Sequence, residues 1–412
     1  MLNDRILPVF LHAKLALRNL FRQRKRTALA LSTVAGGVIA FLLAGGFFNW
    51  ILETMEETTI HSQLGHFQVT RPGYFEKGLS DPYGYLLPEP EPLPDPSRPA
   101  VVTITPRLAF TGLLSKGDET ISFIGEGIDP VREKPITRAI LIVKGKDLTE
   151  ADGSSVLLGE GLAANLAADV GDTVVLLATT AKGGVNGLEA QVAGIFHTAN
   201  KGYDATALRA PIPLARELMG VAGATSWVVL LADGSDMPTE HAALARTFDA
   251  HDFEITPWTK LADFYNKTVE LFSKQVGVVR TLIALIVILS ISNTLSMSVF
   301  ERTTEIGTSM ALGVRRRGVL GLFVMEGALI GVLGGTLGVA IGLLLGELIS
   351  LIGIPMPPAP GMSHGYTGRI AISPELALDG FQLAFATTIL ASIFPSWKAS
   401  RMNIVDALRH QR

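Results

Sequence analysis

Residues 318–346 read GVLGLFVMEGALIGVLGGTLGVAIGLLLG, a single acidic residue, Glu326, in an otherwise uncharged apolar run. As a helix rising 1.5 Å per residue, this stretch is longer than the ~30 Å of hydrocarbon in a bilayer. Working outward from it, three more long apolar stretches appear, at 27–49, 276–300 and 380–397. The pattern predicts four membrane-spanning helices, with one very long connection, 50–275, between the first and the second.

The flanks predict the orientation. Arg18, Arg22, Arg24, Lys25 and Arg26 precede the first span. Arg302, Arg315, Arg316 and Arg317 lie between the second and third, and Lys398, Arg401, Arg409 and Arg412 follow the fourth. The connection 347–379 holds only Arg369. Lys and Arg collect on the cytoplasmic side. Both termini and the 301–317 loop are therefore expected inside, and 50–275 and 347–379 outside. The first apolar run is too long for a signal-peptide core and no small-x-small cleavage site follows it, so it reads as an anchor.

Composition agrees. Of 412 residues, 48% are hydrophobic and 18% charged, too apolar for a soluble chain of this length. A net charge of −3 provides no basic field for nucleic acid. The absence of cysteine excludes disulfides, thiolate metal sites and cysteine nucleophiles.

The connection 50–275 is long enough for its own core. Short apolar runs predict strands at 66–70, 101–105, 121–125, 155–158, 173–178, 190–195 and 227–231. Helices are expected at 160–168, 214–219 and 241–250. This is an α+β extracytoplasmic domain, entered and left by helical stalks that continue the first span and lead into the second. Prolines at 88, 90, 92, 94, 96 and 99 predict an extended spacer within it. Residues 1–26 contain an amphipathic entry helix with Phe10, Ala13, Leu17, Leu20 and Phe21 at helical spacing, suited to the inner headgroup layer.

Enzyme chemistry is not legible. Gly145-Lys146 lacks the rest of a Walker A loop. Gly361-Met362-Ser363-His364-Gly365 fits the nucleophile-elbow spacing, but in a Pro/Gly-rich loop rather than a strand–turn–helix. The histidines form no zinc pair, so no catalytic, cofactor-binding or metal site is expected. Inside the membrane, Gly327, Gly331 and Gly335 form one ladder at four-residue spacing. Gly334, Gly338, Gly342 and Gly346 form another. Both predict close helix contacts, sliding or static. Asn293 requires a helix partner or a polar cavity. Glu326, near the inner face, is expected to pair with a basic residue or reach the interface.

The loop Glu301-Arg302-Thr303-Thr304-Glu305-Ile306-Gly307, followed by Ala311-Leu312-Gly313 and Arg315 to Arg317, resembles the permease subunits of ABC transporters of the MacB/FtsX/LolC type. Leu17-Arg18-Asn19-Leu20, Leu158-Gly159-Glu160-Gly161, Pro395-Ser396-Trp397 and Ala407-Leu408-Arg409 extend the resemblance over nearly the whole chain. It implies that 301–317 is a coupling helix, with Glu301, Arg302, Glu305, Ile306, Gly307, Ala311, Leu312 and Gly313 meeting an ATPase. It also implies two ATPase subunits carrying ATP-Mg, a second permease, identical or related, and mechanotransmission in place of a substrate path through the membrane. A periplasmic adaptor or lipoprotein chaperone is a further partner of such systems.

His66-Phe67-Gln68-Val69, Arg71-Pro72-Gly73-Tyr74 and Gly127-Ile128-Asp129-Pro130 are similar to lipoprotein-releasing permeases, which points to lipoprotein or lipid-linked cargo. A MacB-like efflux pump for small molecules or peptides is the first alternative. An FtsX-like regulator of cell-wall hydrolases, transporting nothing, is the second.

Overall fold

The structure is a computed structural model that describes residues 15–78, 81–88, 100–198, 200–357 and 365–403. Most of the proline spacer, the Ser363 turn, Phe10 and Ala13, and the Ala407-Leu408-Arg409 tail lie outside those residues. The chain divides into two compact units. One is helical, comprising residues up to Leu52, Thr268–Pro355 and those from Thr367 on. The other is inserted and is built mainly from Glu53–Lys267.

Among the described residues, four helices are long and apolar enough to cross a membrane. They run Arg24–Thr59, Asp263–Glu301, Arg316–Ile352 and Pro374–Ser400. Each extends past the apolar run that signals it, because polar turns at the ends need no hydrocarbon. The outer loop therefore shortens from the expected 347–379 to 353–373. Ser373 starts the last helix: its hydroxyl accepts the Leu376 amide at 3.2 Å, and Pro374 occupies the first turn, where a missing N–H costs nothing.

Up to residue 26 the described entry segment is not one helix. Residues 15–22 are helical, the chain turns at Gln23, and a separate helix begins at Arg24. Its apolar residues also serve two directions. Ala16 and Leu20 are buried, whereas Leu15, Leu17 and Phe21 are exposed. A single apolar face was expected; the helix instead packs one side on the bundle and leaves the other free. The segment 301–317 is not one helix either. Glu301 closes the second long helix, Thr303–Ala311 is a short helix, and Arg316 and Arg317 open the third long one.

The inserted unit is built on a ten-stranded sheet. Its strands are β1 Phe67–Thr70, β2 Val101–Lys116, β3 Glu119–Ile128, β4 Leu141–Gly145, β5 Ser155–Gly159, β6 Thr173–Thr179, β7 Val185–His197, β8 Ala207–Pro211, β9 Ser226–Leu231 and β10 Glu254–Pro257. The order is β10-β1-β9-β2-β3-β8-β5-β7-β4. Because β6 pairs with both β2 and β7, strands β2, β3, β8, β5, β7 and β6 form a closed ring. Closure leaves fewer open edges, and the long β2 makes it feasible by pairing with β9 and β3 and, near its end, β6.

All seven predicted strands are present. Strands β4, β8 and β10 were not expected. β4 is mostly exposed, β8 contains Arg209 inside an otherwise apolar run, and β10 is four residues long, so none shows a clean alternation. β9 is buried on both faces, which explains its continuous apolar run. The helix Ile212–Met219 covers the ring and ends at Gly220, whose φ of 65° suits glycine.

Candidate functional site

The short helix Thr303–Ala311 turns inward through Thr303, Ile306 and Gly307, three buried positions at helical spacing. Ile306 packs in a cluster with Val299, Val319, Phe323 and Ala399. The Thr303 hydroxyl bonds back to the carbonyls of Val299 and Phe300, at 3.2 and 2.8 Å, and so splices the short helix onto the preceding long one. Glu305 and Thr308 face outward, and every residue from Ala311 to Arg317 is exposed. Gly313, at φ 99°, makes the turn. At its rim Leu312 is 83% exposed and Val314 is exposed beside it, large apolar side chains at a charged tip.

Among the described residues, three ion pairs lie at this end of the bundle. Arg302 donates to Glu326 at 2.8 Å, with both side chains almost fully enclosed. Asn19, from the entry helix, donates to the same carboxylate oxygen at 2.8 Å. Arg22 pairs with Glu305, and Arg26 donates to both carboxylate oxygens of Glu301 through Nη1 and Nη2. The two exposed pairs contribute little, about 0–1 kcal/mol each. The enclosed one differs: removing either partner strands a charge, at about 3–5 kcal/mol. A cavity of about 20 Å³ adjoins it, lined by Asn19, Gln23, Ser298, Arg302 and Glu326. That is room for about one water.

Sequence reading anticipated a basic partner for Glu326, and Arg302 is that partner. It placed Glu301, Arg302, Glu305, Ile306 and Gly307 in one loop. The structure distributes them between buried anchors (Arg302, Ile306, Gly307) and exposed groups (Glu301, Glu305), with Ala311, Leu312 and Gly313 at the tip. The roles of Asn19, Arg22 and Arg26 were missed. The sequence signal for the two arginines is a cluster of basic residues, equally consistent with a topology signal, and that for Asn19 is the Leu17-Arg18-Asn19-Leu20 resemblance, which names no partner.

The two glycine ladders face different helices. An added Cβ on Gly334 would lie 2.9 Å from Val34 Cβ, and on Gly342 2.8 Å from Leu42 Cδ1. On Gly338 it would meet Val38 Cβ at 2.7 Å and the Ala35 carbonyl at 2.9 Å. This ladder seats the first long helix. On Gly327 a Cβ would lie 2.6 Å from Ser392 Cβ, on Gly331 it would collide with Thr388, and on Gly335 it would crowd Phe381. That ladder seats the fourth. Gly346 faces Ile372, just before the fourth helix. One helix is thus in close backbone contact with two neighbours, which requires hydrogen in place of a side chain on both faces. Asn293 lies on the exposed side of the second long helix, in line with Leu282, Leu285, Leu289 and Met297.

A large α/β domain placed between the first and second of four membrane helices is the architecture of an ABC transporter permease. The chain belongs to the MacB-like and FtsX-like permease family: a MacB-like periplasmic core domain matches residues 27–247 and an FtsX-like permease C-terminal domain matches 277–404. Macrolide export ATP-binding/permease protein MacB of Hyphomonas neptunium is 29% identical over 64% of this chain and 39% of its own length. An uncharacterized ABC transporter permease of Methanocaldococcus jannaschii is 26% identical over 65% of each. The lipoprotein-releasing system transmembrane protein LolC of Neisseria meningitidis serogroup B is 24% identical over 93% of this chain and 94% of its own. The chain thus spans about two fifths of the MacB relative and nearly all of the LolC relative.

Proposed function

We propose that this chain is the lever of an ABC transporter, moved by an ATPase lying outside these 412 residues. The observation that carries the reading is the short helix Thr303–Ala311, anchored by the enclosed Arg302–Glu326 pair and ending in the exposed Leu312. An apolar side chain at a turn surrounded by Arg315, Arg316 and Arg317 suits a protein surface better than water or hydrocarbon. In this reading the charged end is cytoplasmic, both termini lie inside, and two ATPase subunits bearing ATP-Mg grip the short helix. Their closure displaces it, and the close-packed bundle passes the displacement on. A second permease, identical or related, completes the assembly. Asn293 supports it, because an amide among lipid-facing leucines needs a hydrogen-bonding partner.

The cargo we propose is a lipoprotein or lipid-linked molecule, supported by the nearly full-length similarity to a LolC protein. Freeing a lipid anchor costs about 0.8 kcal/mol per buried methylene, which calls for an ATP-driven lever. Similarity to MacB proteins favours a second reading, efflux of small molecules or peptides. The test is to replace Glu305 by Lys or Gly307 by Leu and assay the complex isolated with its ATPase. Folded variants that hydrolyse ATP without releasing co-isolated cargo are the expected result. Variants that export normally would remove the short helix from the coupling path.

A further inference from the structure

The helix that begins at Arg24 does not end as an ordinary α-helix. After Thr59 it widens into a π-helical turn, Ile60–Leu64, closed by the Gly65 amide on the Ile60 carbonyl at 3.0 Å. Helix ends leave their last carbonyls without intrahelical donors. Here three successive ones are taken by side chains from the sheet. Arg209, on β8, donates to the Ser62 carbonyl at 3.4 Å. Arg107, on β2, donates to the Gln63 carbonyl. Gln68, on β1, donates to the Leu64 carbonyl at 3.4 Å. Both arginines are also held from behind: each pairs with Glu133, and Arg209 reaches Glu126 at 3.0 Å. Arg209 is 2% exposed and Glu133 1%.

The next two residues are fixed as firmly. Gly65, at φ 60°, leaves no room for a Cβ against Val228 and the Val229 carbonyl. The His66 amide donates to the Val229 carbonyl at 2.8 Å, and its carbonyl accepts from Trp258 at 3.0 Å. Two cations at the negative end of a helix dipole, braced by buried carboxylates, make a stiff connection. Within the ring of strands only Glu126, on β3, answers Arg209 among the described pairs; the Ser62 and Gln63 carbonyls belong to the stalk. A domain held only by its core would fill these positions with apolar side chains at less desolvation cost.

We propose that Arg107, Glu133 and Arg209 are positioning residues that lock the end of the first stalk to the sheet, so that stalk and domain turn as one body and do not hinge at Gly65. The proposal rests on the lever reading above, for which a hinge at this point would dissipate the stroke.

The chain has no native cysteine, so spin labels at Glu57→Cys, on the stalk, and Thr111→Cys, on β2, report this joint in the full-length protein in lipid nanodiscs. The parent is expected to give one narrow distance distribution. The combined variant Arg107→Met, Glu126→Gln, Glu133→Leu, Arg209→Met replaces the cluster by uncharged groups of similar size and strands no carboxylate. It is expected to melt cooperatively yet broaden the distribution and speed amide exchange over residues 60–65 about tenfold. A folded variant with unchanged distribution and exchange would overturn the proposal. If the combined variant does not fold, Arg107→Lys decides. Lysine keeps the charge but lacks the fork that serves Gln63 and Glu133 together. The same broadening is expected, and an unchanged joint would overturn the proposal. Neither readout uses nucleotide or cargo. Normal export by the Glu305 variant would therefore leave the joint standing, and a soft joint would leave the coupling test untouched.

Discussion

Arg302 and Glu326 lie 2.8 Å apart with their side chains 7% and 3% exposed, one at the turn between the second long helix and the short helix and the other buried in the third long helix. An ion pair so enclosed is a poor source of net stability but a strict geometric constraint. It ties the turn that precedes the short helix to the third long helix. Asn19 adds the entry helix to the same carboxylate.

Glu326→Leu alone is expected to destabilise the helical unit by about 3–5 kcal/mol, because it leaves Arg302 buried and unpaired. The double variant Arg302→Met, Glu326→Leu should recover most of that loss. Thermal unfolding of the singles and the double in detergent measures the coupling. Additive losses would mean that the two side chains do not act as a pair.

At the tip, Leu312→Glu should leave the folding stability within about 0.5 kcal/mol of the parent, since an exposed side chain contributes little to folding. The same change is expected to abolish co-purification with the ATPase. Retained association would place the docking surface elsewhere.

Glycine substitutions along the third long helix should divide sharply. Gly338→Val meets the Ala35 carbonyl and Cα, backbone atoms that cannot rotate away, and should cost about 1–3 kcal/mol. Gly321→Ala has open space around it and should be neutral or slightly stabilising. Equal effects at the two positions, read by thermal unfolding, would contradict the packing described.

The inserted unit should lose stability as pH falls from neutrality. Burial, and then the neighbouring His61, holds the His66 pKa down from 6.5 to about 4, while Asp233 opposes the shift weakly. His66 Nδ1 accepts the Leu231 amide at 3.1 Å, which requires the unprotonated nitrogen. Because the folded pKa lies below the unfolded one, the contribution is complete above pH 6.5 and declines between 6.5 and 4. His66→Asn offers Oδ1 to the same amide without titrating, and melts across this range should show a flatter pH dependence. An unchanged slope would assign the effect to other groups.

The four spans, the insertion between the first two and the glycine ladders were legible because hydrocarbon thickness and helical periodicity act on consecutive residues. The seven recognised strands carried the same kind of local signal. Strands β4, β8 and β10 did not, since exposure, a buried arginine and shortness each erased the alternation.

What the sequence determined by itself is therefore everything set by neighbours along the chain: which stretches enter the membrane, which form the separate domain, and where a short charged loop interrupts the helices. Only the tertiary structure decided that Arg302 belongs to Glu326, Arg22 to Glu305, and Arg107 and Arg209 to the carbonyls closing the first long helix. Those partners are far apart in sequence. A charge reveals only that it needs a counter-charge, and folding alone brings a particular one within reach.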